Sequence, residues 1–340
     1  MGTSAQAAVT PERIMQMAWG YAPPLMMEAA VRHGYFDLLD SGAKTAEEVA
    51  AQSSTSLRGA RAILNALAGL QLLSKDAEAR FSLAPDTAQF LVSTKPSFFG
   101  GLVRHTSGMI STHWAKLIQI AKRGRPEHGV NQQPTGTEFF HEFVADIFPL
   151  SYPAAAGLAR ALDIGAAHAP VKVLDLAAGS GVWGIALAHA SSRVRVTAVD
   201  WPGMLDITAR TAARHGVGDR VSCLPGDLLE ADFGSGFDVA TLGHILHSEG
   251  EKRSRALLRK VVQALKPGGT IAIQEFLVND DRTGPPMSLI FAVNMLVATD
   301  HGDTFSFGEI GGWLREAGFE NARTLESPGP SPLILANKPA

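Results

Sequence analysis

Apolar positions follow two different periods along this chain. From residue 171 onward, short apolar runs alternate with amphipathic stretches. Strands are predicted near 171–176, 194–199, 220–224, 237–242 and 269–276, with two shorter ones near 321–326 and 332–336. Runs of this kind joined by helices predict a doubly wound, mostly parallel sheet. Before residue 165 the period is helical. Thr10-Pro11-Glu12-Arg13 reads as an N-cap with proline at the first helical position, after which Ile14, Met17, Ala18 and Tyr21 share a face. A second helix is expected from about Pro23 to His33-Gly34, rich in methionine and alanine. Thr45-Ala-Glu-Glu48 is a capping-box pattern, Ser56 to Leu70 a longer amphipathic helix, and Leu72-Leu73 with Phe81-Ser-Leu83 a small β-ribbon. Residues 97 to 164 look helical, with breaks near Gly124-Arg-Pro126 and Gln133-Pro134.

At 340 residues and 46% hydrophobic content the chain is long enough for more than one core. The patterns divide it into 11–95, a helix-helix-wing segment, 96–165, a helical stretch, and 166–340, the alternating region. A wing in isolation suggests DNA binding. Residues 41 to 90 hold five bases (Lys44, Arg58, Arg61, Lys75, Arg80) against five acids (Glu47, Glu48, Asp76, Glu78, Asp86), and the whole chain carries a net charge of −3. A DNA-reading face needs a basic excess, so no nucleic-acid partner is expected. The single Cys223 cannot form an internal disulfide. Met1 to Thr10 lack a signal-peptide pattern and no run holds eighteen unbroken apolar residues, so no membrane association and a cytoplasmic location are expected.

The densest chemistry lies in Val171-Lys-Val-Leu-Asp-Leu-Ala-Ala-Gly-Ser-Gly-Val-Trp-Gly184, a buried strand, a tight turn and the start of a helix. Glycines there let a polar ligand approach backbone N–H groups at a helix N-terminus. Gly179, Gly181 and Gly184 satisfy G-x-G-x-x-G, which leaves a dinucleotide such as NAD open. Asp175, four residues before Gly179, makes the pattern Asp-x-x-x-Gly-x-Gly instead. This resembles the first motif of the S-adenosylmethionine (SAM) dependent methyltransferases. The resemblance implies that the turn with Asp175, Gly179 and Gly181 receives the amino-acid end of SAM, and that Asp200, ending the next strand, binds the ribose hydroxyls. It also implies that Asp227 and Leu228, in Pro225-Gly-Asp-Leu228, contact the adenine. Trp201 is expected against the adenine ring, where an aromatic face gains stacking contact, with packing on Pro202 as the alternative.

A second stretch, Phe237-Asp-Val-Ala-Thr-Leu-Gly-His-Ile-Leu-His247, leads through a helix to Ala264-Leu-Lys-Pro-Gly-Gly-Thr-Ile-Ala-Ile-Gln-Glu275. Both His247 and Glu275 follow strand ends on one rim of such a sheet. An imidazole there can take a hydroxyl proton near neutral pH. Together with the N-terminal segment, these stretches resemble the plant-type small-molecule O-methyltransferases in their bacterial branch. That resemblance implies a class I methyltransferase Rossmann-like seven-stranded sheet, with a Pro-Gly-Gly turn into its fifth strand, behind a winged-helix dimerisation domain. It also implies a homodimer that transfers methyl from SAM to a hydroxyl of an aromatic or apolar small molecule. His247 is then the base and Glu275 the carboxylate flanking it. Phe139, Phe143, Met287, Phe291, Asn294 and Met295 are implied to line the acceptor pocket.

The chain departs from that family where Asp-Trp usually follows the catalytic histidine: here stand Ser248-Glu249-Gly250. Gly243 replaces a lysine that reaches the adenine, and Asp303 is a displaced substitute for a second carboxylate. His247, His301 and a carboxylate could instead make a metal triad. C- or N-methylation on the same scaffold, and SAM binding without turnover, are the other readings these residues allow. The mechanism expected from the resemblance uses no metal.

Overall fold

The computed structural model describes residues 9–132, 135–141, 143–328 and 331–340. Its contacts divide the chain into two units, Met1–Ser111 and Thr112–Ala340.

The first unit begins with α1 (Glu12–Ala18) and α2 (Ala22–Arg32). Pro11, not Thr10, is the residue before α1. It already has helical φ and ψ, and no side chain caps the helix, so the expected Thr10 cap is corrected. No residue of α1 is buried. Gly34, at φ +69°, turns the chain into α3 (Tyr35–Asp40), a short helix the periodicity did not reveal, which buries Tyr35, Phe36 and Leu39. Then follow α4 (Ala46–Gln52) and α5 (Leu57–Gly69). The Thr45 capping box forms on both sides, with Glu48 N–H donating to Thr45 Oγ1 at 3.3 Å and Thr45 N–H to Glu48 Oε2 at 2.7 Å. β1 (Leu73–Lys75) and β2 (Phe81–Leu83) pair antiparallel as the ribbon. α6 (Pro85–Phe90) and α7 (Gly100–Thr112) close this part of the chain. Ala30, Tyr35, Phe36, Val49, Leu64, Leu67 and Phe81 form one core, the helix-helix-wing order built around a small apolar centre.

The second unit starts with α8 (Leu117–Arg123), α9 (Thr135–His141) and α10 (Phe148–Ala161). The expected break at Gln133-Pro134 lies outside the described residues. β3 (Val171–Leu176), α11 (Val182–Ala190), β4 (Val194–Asp200), α12 (Pro202–Arg214), β5 (Val221–Pro225), β6 (Phe237–Gly243), α13 (Leu246–Ala264) and β7 (Leu265–Gln274) make the alternating part. α14 (Pro286–Ala298), α15 (Phe307–Ala317), β8 (Glu320–Leu325) and β9 (Leu333–Asn337) complete it. The seven strands run β5-β4-β3-β6-β7-β9-β8. All neighbours are parallel except β9, antiparallel to both β7 and β8. One core packs α13 and α15 on the sheet through Leu257, Leu258, Val261, Ile310 and Trp313. The other packs α10 and α11 on its opposite face through Leu158, Ile185 and Leu187.

α13 passes into β7 with no intervening turn, because Leu265 already pairs with Phe237 and the Pro267-Gly268-Gly269 stretch is an irregularity inside the strand pairing. The turn expected there is thus absorbed into β7. Part of the expected final hairpin turn, Gly329 and Pro330, lies outside the described residues. Among the described residues no helix is long and apolar enough to cross a membrane.

Candidate active site

Parallel pairing of β4, β3 and β6 brings their carboxyl ends to one rim, the place where open α/β sheets bind ligands. The turn after β3 is strained into shape: Ala177, Gly179 and Gly181 all have positive φ. A Cβ on Gly181 would lie 2.9 Å from Thr208 Cγ2, so both the conformation and the close approach require glycine. Thr208 Oγ1 donates to Gly179 O at 2.7 Å and ties the turn to α12.

Asp175 lies beneath this turn. Its Oδ2 accepts from Gly184 N–H at 2.9 Å and its Oδ1 from Thr241 Oγ1 at 2.8 Å, and the side chain is buried. Burial pushes its pKa up to about 7, against the two hydrogen bonds. Asp175 therefore fastens β3 to α11 and β6, which is a positioning task and not the ligand contact expected of it. Asp200 stands at the crevice. Its Oδ2 accepts from Gly179 N–H at 2.8 Å and its Oδ1 from Trp201 N–H at 2.7 Å. Burial raises its pKa to about 6, again opposed by the two N–H donors. Each oxygen keeps a further acceptor direction, as a diol requires.

A Cβ on Gly136 would meet the Trp201 ring at 2.4 Å and Val130 O at 2.1 Å, so one part of the indole is covered by α9. Leu228 is buried in the core on the α13 face of the sheet, away from the role expected of it. Asp227 accepts from Leu229 N–H at 2.8 Å and pairs with Arg253 at 2.7 Å, and Arg253 Nε donates to Glu249 Oε2 at 2.5 Å. This chain of charges was missed from the sequence. The i, i+4 spacing of Glu249 and Arg253 was its visible signal.

His247 begins the second turn-to-helix junction, after β6. Its Nδ1 lies 2.7 Å from Glu275 Oε2, and its backbone N–H donates to Glu275 Oε1 at 3.3 Å. Burial alone would raise the Glu275 carboxyl. The charge and hydrogen bonds of His247, with His244 beyond, hold it below its ordinary value. An ionised carboxylate only accepts, so Nδ1 carries the proton and Nε2 is left as the basic nitrogen. Three neighbours hold the loop. Asp303 N–H donates to His247 O at 2.9 Å, Asn131 Nδ2 to Ser248 O at 3.4 Å, and Gly250, at φ +71°, kinks α13 where a Cβ would meet His301 O at 2.3 Å.

Aromatic rings surround the imidazole. Phe291 meets it edge-on at 4.9 Å, the tilted ring of Phe276 lies 4.2 Å from Phe291, and His244 lies 4.9 Å from Phe276. Burial pushes the pKa of His244 down to about 4, so it stays neutral. Phe276 and His244 were not singled out from the sequence, since neither has a periodic signal and His244 takes a left-handed φ of +57°. The other expected acceptor residues divide. Phe139 and Phe143 share a second aromatic group, 5.7 Å apart. Asn294 Oδ1 accepts from Trp114 Nε1 at 3.1 Å, which commits that oxygen to a helix contact. Met295 is buried, whereas Met287 is exposed. The Asp303 carboxylate is exposed and takes the N–H of Thr304, and His301 is exposed too. Among the described residues no three His, Cys, Asp or Glu side chains are placed to hold a metal ion, so the His247–His301 triad is not assembled.

A glycine turn opening a helix, acids at the ends of β4 and β5, and a seven-stranded sheet with an antiparallel final pair fit SAM. They define a class I SAM-dependent methyltransferase. Two family models match the chain: a methyltransferase domain over residues 173–269 and an O-methyltransferase dimerisation domain over residues 15–93. The 3-hydroxy-5-methyl-1-naphthoate 3-O-methyltransferase of Streptomyces sahachiroi is 28% identical over 96% of this chain and 95% of its own. The tetracenomycin polyketide synthesis 8-O-methyl transferase of Streptomyces glaucescens is 29% identical over 97% of each. A structure of PigF with SAH superposes with a TM-score of 0.81 at 25% identity, covering 97% of this chain and 100% of that one. PigF is an S-adenosyl-L-methionine-dependent methyl transferase of a Serratia strain. The chain belongs to the SAM-dependent O-methyltransferases of the plant-type family, in their bacterial branch.

Proposed function

We propose that this enzyme methylates a hydroxyl on an aromatic, fused-ring small molecule, with Gly179, Gly181 and Asp200 holding SAM and His247 acting as general base. The observation that carries this reading is the 2.7 Å contact of His247 Nδ1 with a buried, ionised Glu275. Bound SAM supplies an electrophilic methyl group. Nε2 of His247 takes the acceptor's hydroxyl proton as its oxygen becomes nucleophilic, and Glu275 stabilises the imidazolium that forms. Phe291 and Phe276 exclude water beside the imidazole and offer flat apolar faces to an aromatic ring. The Arg253 bridge orients the Asp227 carboxylate at the end of β5, where the adenine is read. The named relatives act on a naphthoate and a tetracenomycin polyketide, which supports a hydroxylated polycyclic acceptor.

The test is transfer of an isotopically labelled methyl from SAM to a panel of hydroxynaphthoates and larger hydroxylated polyketides, with the product located by mass spectrometry. Label on oxygen is expected. Label on carbon or nitrogen, or none above background across the panel, removes the O-methylation reading.

The dimerisation domain supports a homodimer. Ile14, Met15 and Met17 of α1, and Trp19 just past its end, each expose more than half of their surface, while Met26, Met27 and Val31 of α2 pack into their own core. Such an apolar stripe is unusual on a monomer, and a second copy of the chain is its proposed cover. Ile14→Glu with Met17→Glu is expected to convert a dimer to a folded monomer by analytical ultracentrifugation. A double variant that still sediments as a dimer places the interface elsewhere.

A further inference from the structure

Rings and acids dominate the rim where SAM is expected to sit. Residues 175–184 and 243–250 contain no lysine or arginine, and Arg253 is already bound by Asp227 and Glu249. In those stretches the donors open to the carboxylate of the cofactor's amino-acid end are neutral N–H groups. Asp200 ends β4 and Asp227 follows β5, on one side of β3; the strand on its other side is β6, which ends at Gly243.

Trp183 is the second residue of α11, directly behind the glycine turn, and is 5% exposed. A Cβ on Gly243 would fall 1.9 Å from its Nε1 and 2.7 Å from its Cδ1. The N–H edge of the indole thus fills the space in which any side chain at 243 would begin, and only glycine admits it. This N–H donates to no acceptor among the described residues, and it is not among the buried polar atoms sealed without a partner. An indole N–H in so enclosed a position ordinarily finds an acceptor. Helix geometry adds to the same place the first-turn amides of α11, one of which, Gly184 N–H, is taken by Asp175.

We propose that Trp183 donates its indole hydrogen to the carboxylate at the amino-acid end of SAM. The proposal rests on the glycine turn being the seat of that end. It accounts for one departure: Gly243 lacks a side chain because Trp183 fills the space in which one would begin.

The experiment is calorimetry of the full chain with SAM and with decarboxylated SAM, for wild type and Trp183→Phe. Phenylalanine keeps an aromatic ring against Gly243 and removes the hydrogen. Loss of a hydrogen bond to a charged group predicts a SAM affinity about 10- to 100-fold weaker in the variant. The affinity for decarboxylated SAM should be nearly the same in both proteins. Equal SAM affinities, or an equal loss for both ligands, overturn the proposal. A wild-type chain that binds neither ligand overturns the reading of the turn as well, which separates the two failures. Should Trp183→Phe fail to fold, the five indole N–H resonances of wild type decide. One must move downfield with SAM and stay in place with decarboxylated SAM, and identical spectra with both ligands dismiss the idea.

Discussion

His247→Ala lowers turnover by about 100- to 10,000-fold, the range that general-base catalysis contributes, while SAM affinity stays nearly unchanged. On the proposed mechanism the two effects separate, because proton transfer would use Nε2 of His247 whereas the cofactor would be held at the ends of β3 and β4. Glu275→Gln lowers turnover less, since the histidine remains but its Nδ1–H loses the charged acceptor now 2.7 Å away. Steady-state kinetics with SAM titrations for each variant check the pair. Near-normal turnover in His247→Ala on the native acceptor would mean a nucleophile that needs no base, and so methylation at carbon or nitrogen.

Asp200→Ala weakens SAM binding by about 10- to 100-fold, because ribose hydroxyls that donate to a carboxylate are left without their acceptor. Wild-type affinity should also fall as pH drops through about 6, where burial has placed the Asp200 pKa. Stability runs the other way. The folded pKa lies above the ordinary carboxylate value, so between about pH 4 and 6 the native state binds more protons than the unfolded chain. Its ionisation destabilises the fold above about 6 and that cost is relieved as pH falls. Calorimetric titrations from pH 5 to 8 on both proteins test this. Asp175 titrates near 7, raised mainly by burial and in part by the Asp200 charge, so its own titration moves to lower pH in the variant and is read separately from that of Asp200. An Asp200→Ala variant with wild-type affinity would remove Asp200 from the site.

Local signals in the chain were enough for the capping box at Thr45, the ribbon at Leu73 and Phe81, and the strand-turn-helix at Asp175 to Gly184. Each is governed by residues within a few positions of one another: a hydroxyl three residues from an amide, alternation on a ribbon, glycines where a Cβ would clash. Asp175 shows where such reading ends. The sequence marks it as an acid at the start of a glycine turn, but only the parallel register of β3 with β6 brings Thr241 to its other oxygen and turns it from ligand to fastener.

What the sequence alone determined is the class: seven apolar strands with their helices, the glycine turn, and a histidine and a glutamate at two strand ends. The tertiary structure decided how those groups work. Glu275 reaches His247 across 28 residues because β6 and β7 are adjacent and parallel. Arg253 bridges Asp227 and Glu249 only once α13 lies beside the end of β5. The indole of Trp183 enters the space above Gly243 because β3 and β6 pair, bringing the start of α11 to the end of β6. Helical and strand periods are local steric and solvation effects, legible over a dozen residues. Contacts between strand ends depend on the order and register of the whole sheet, which no single stretch encodes.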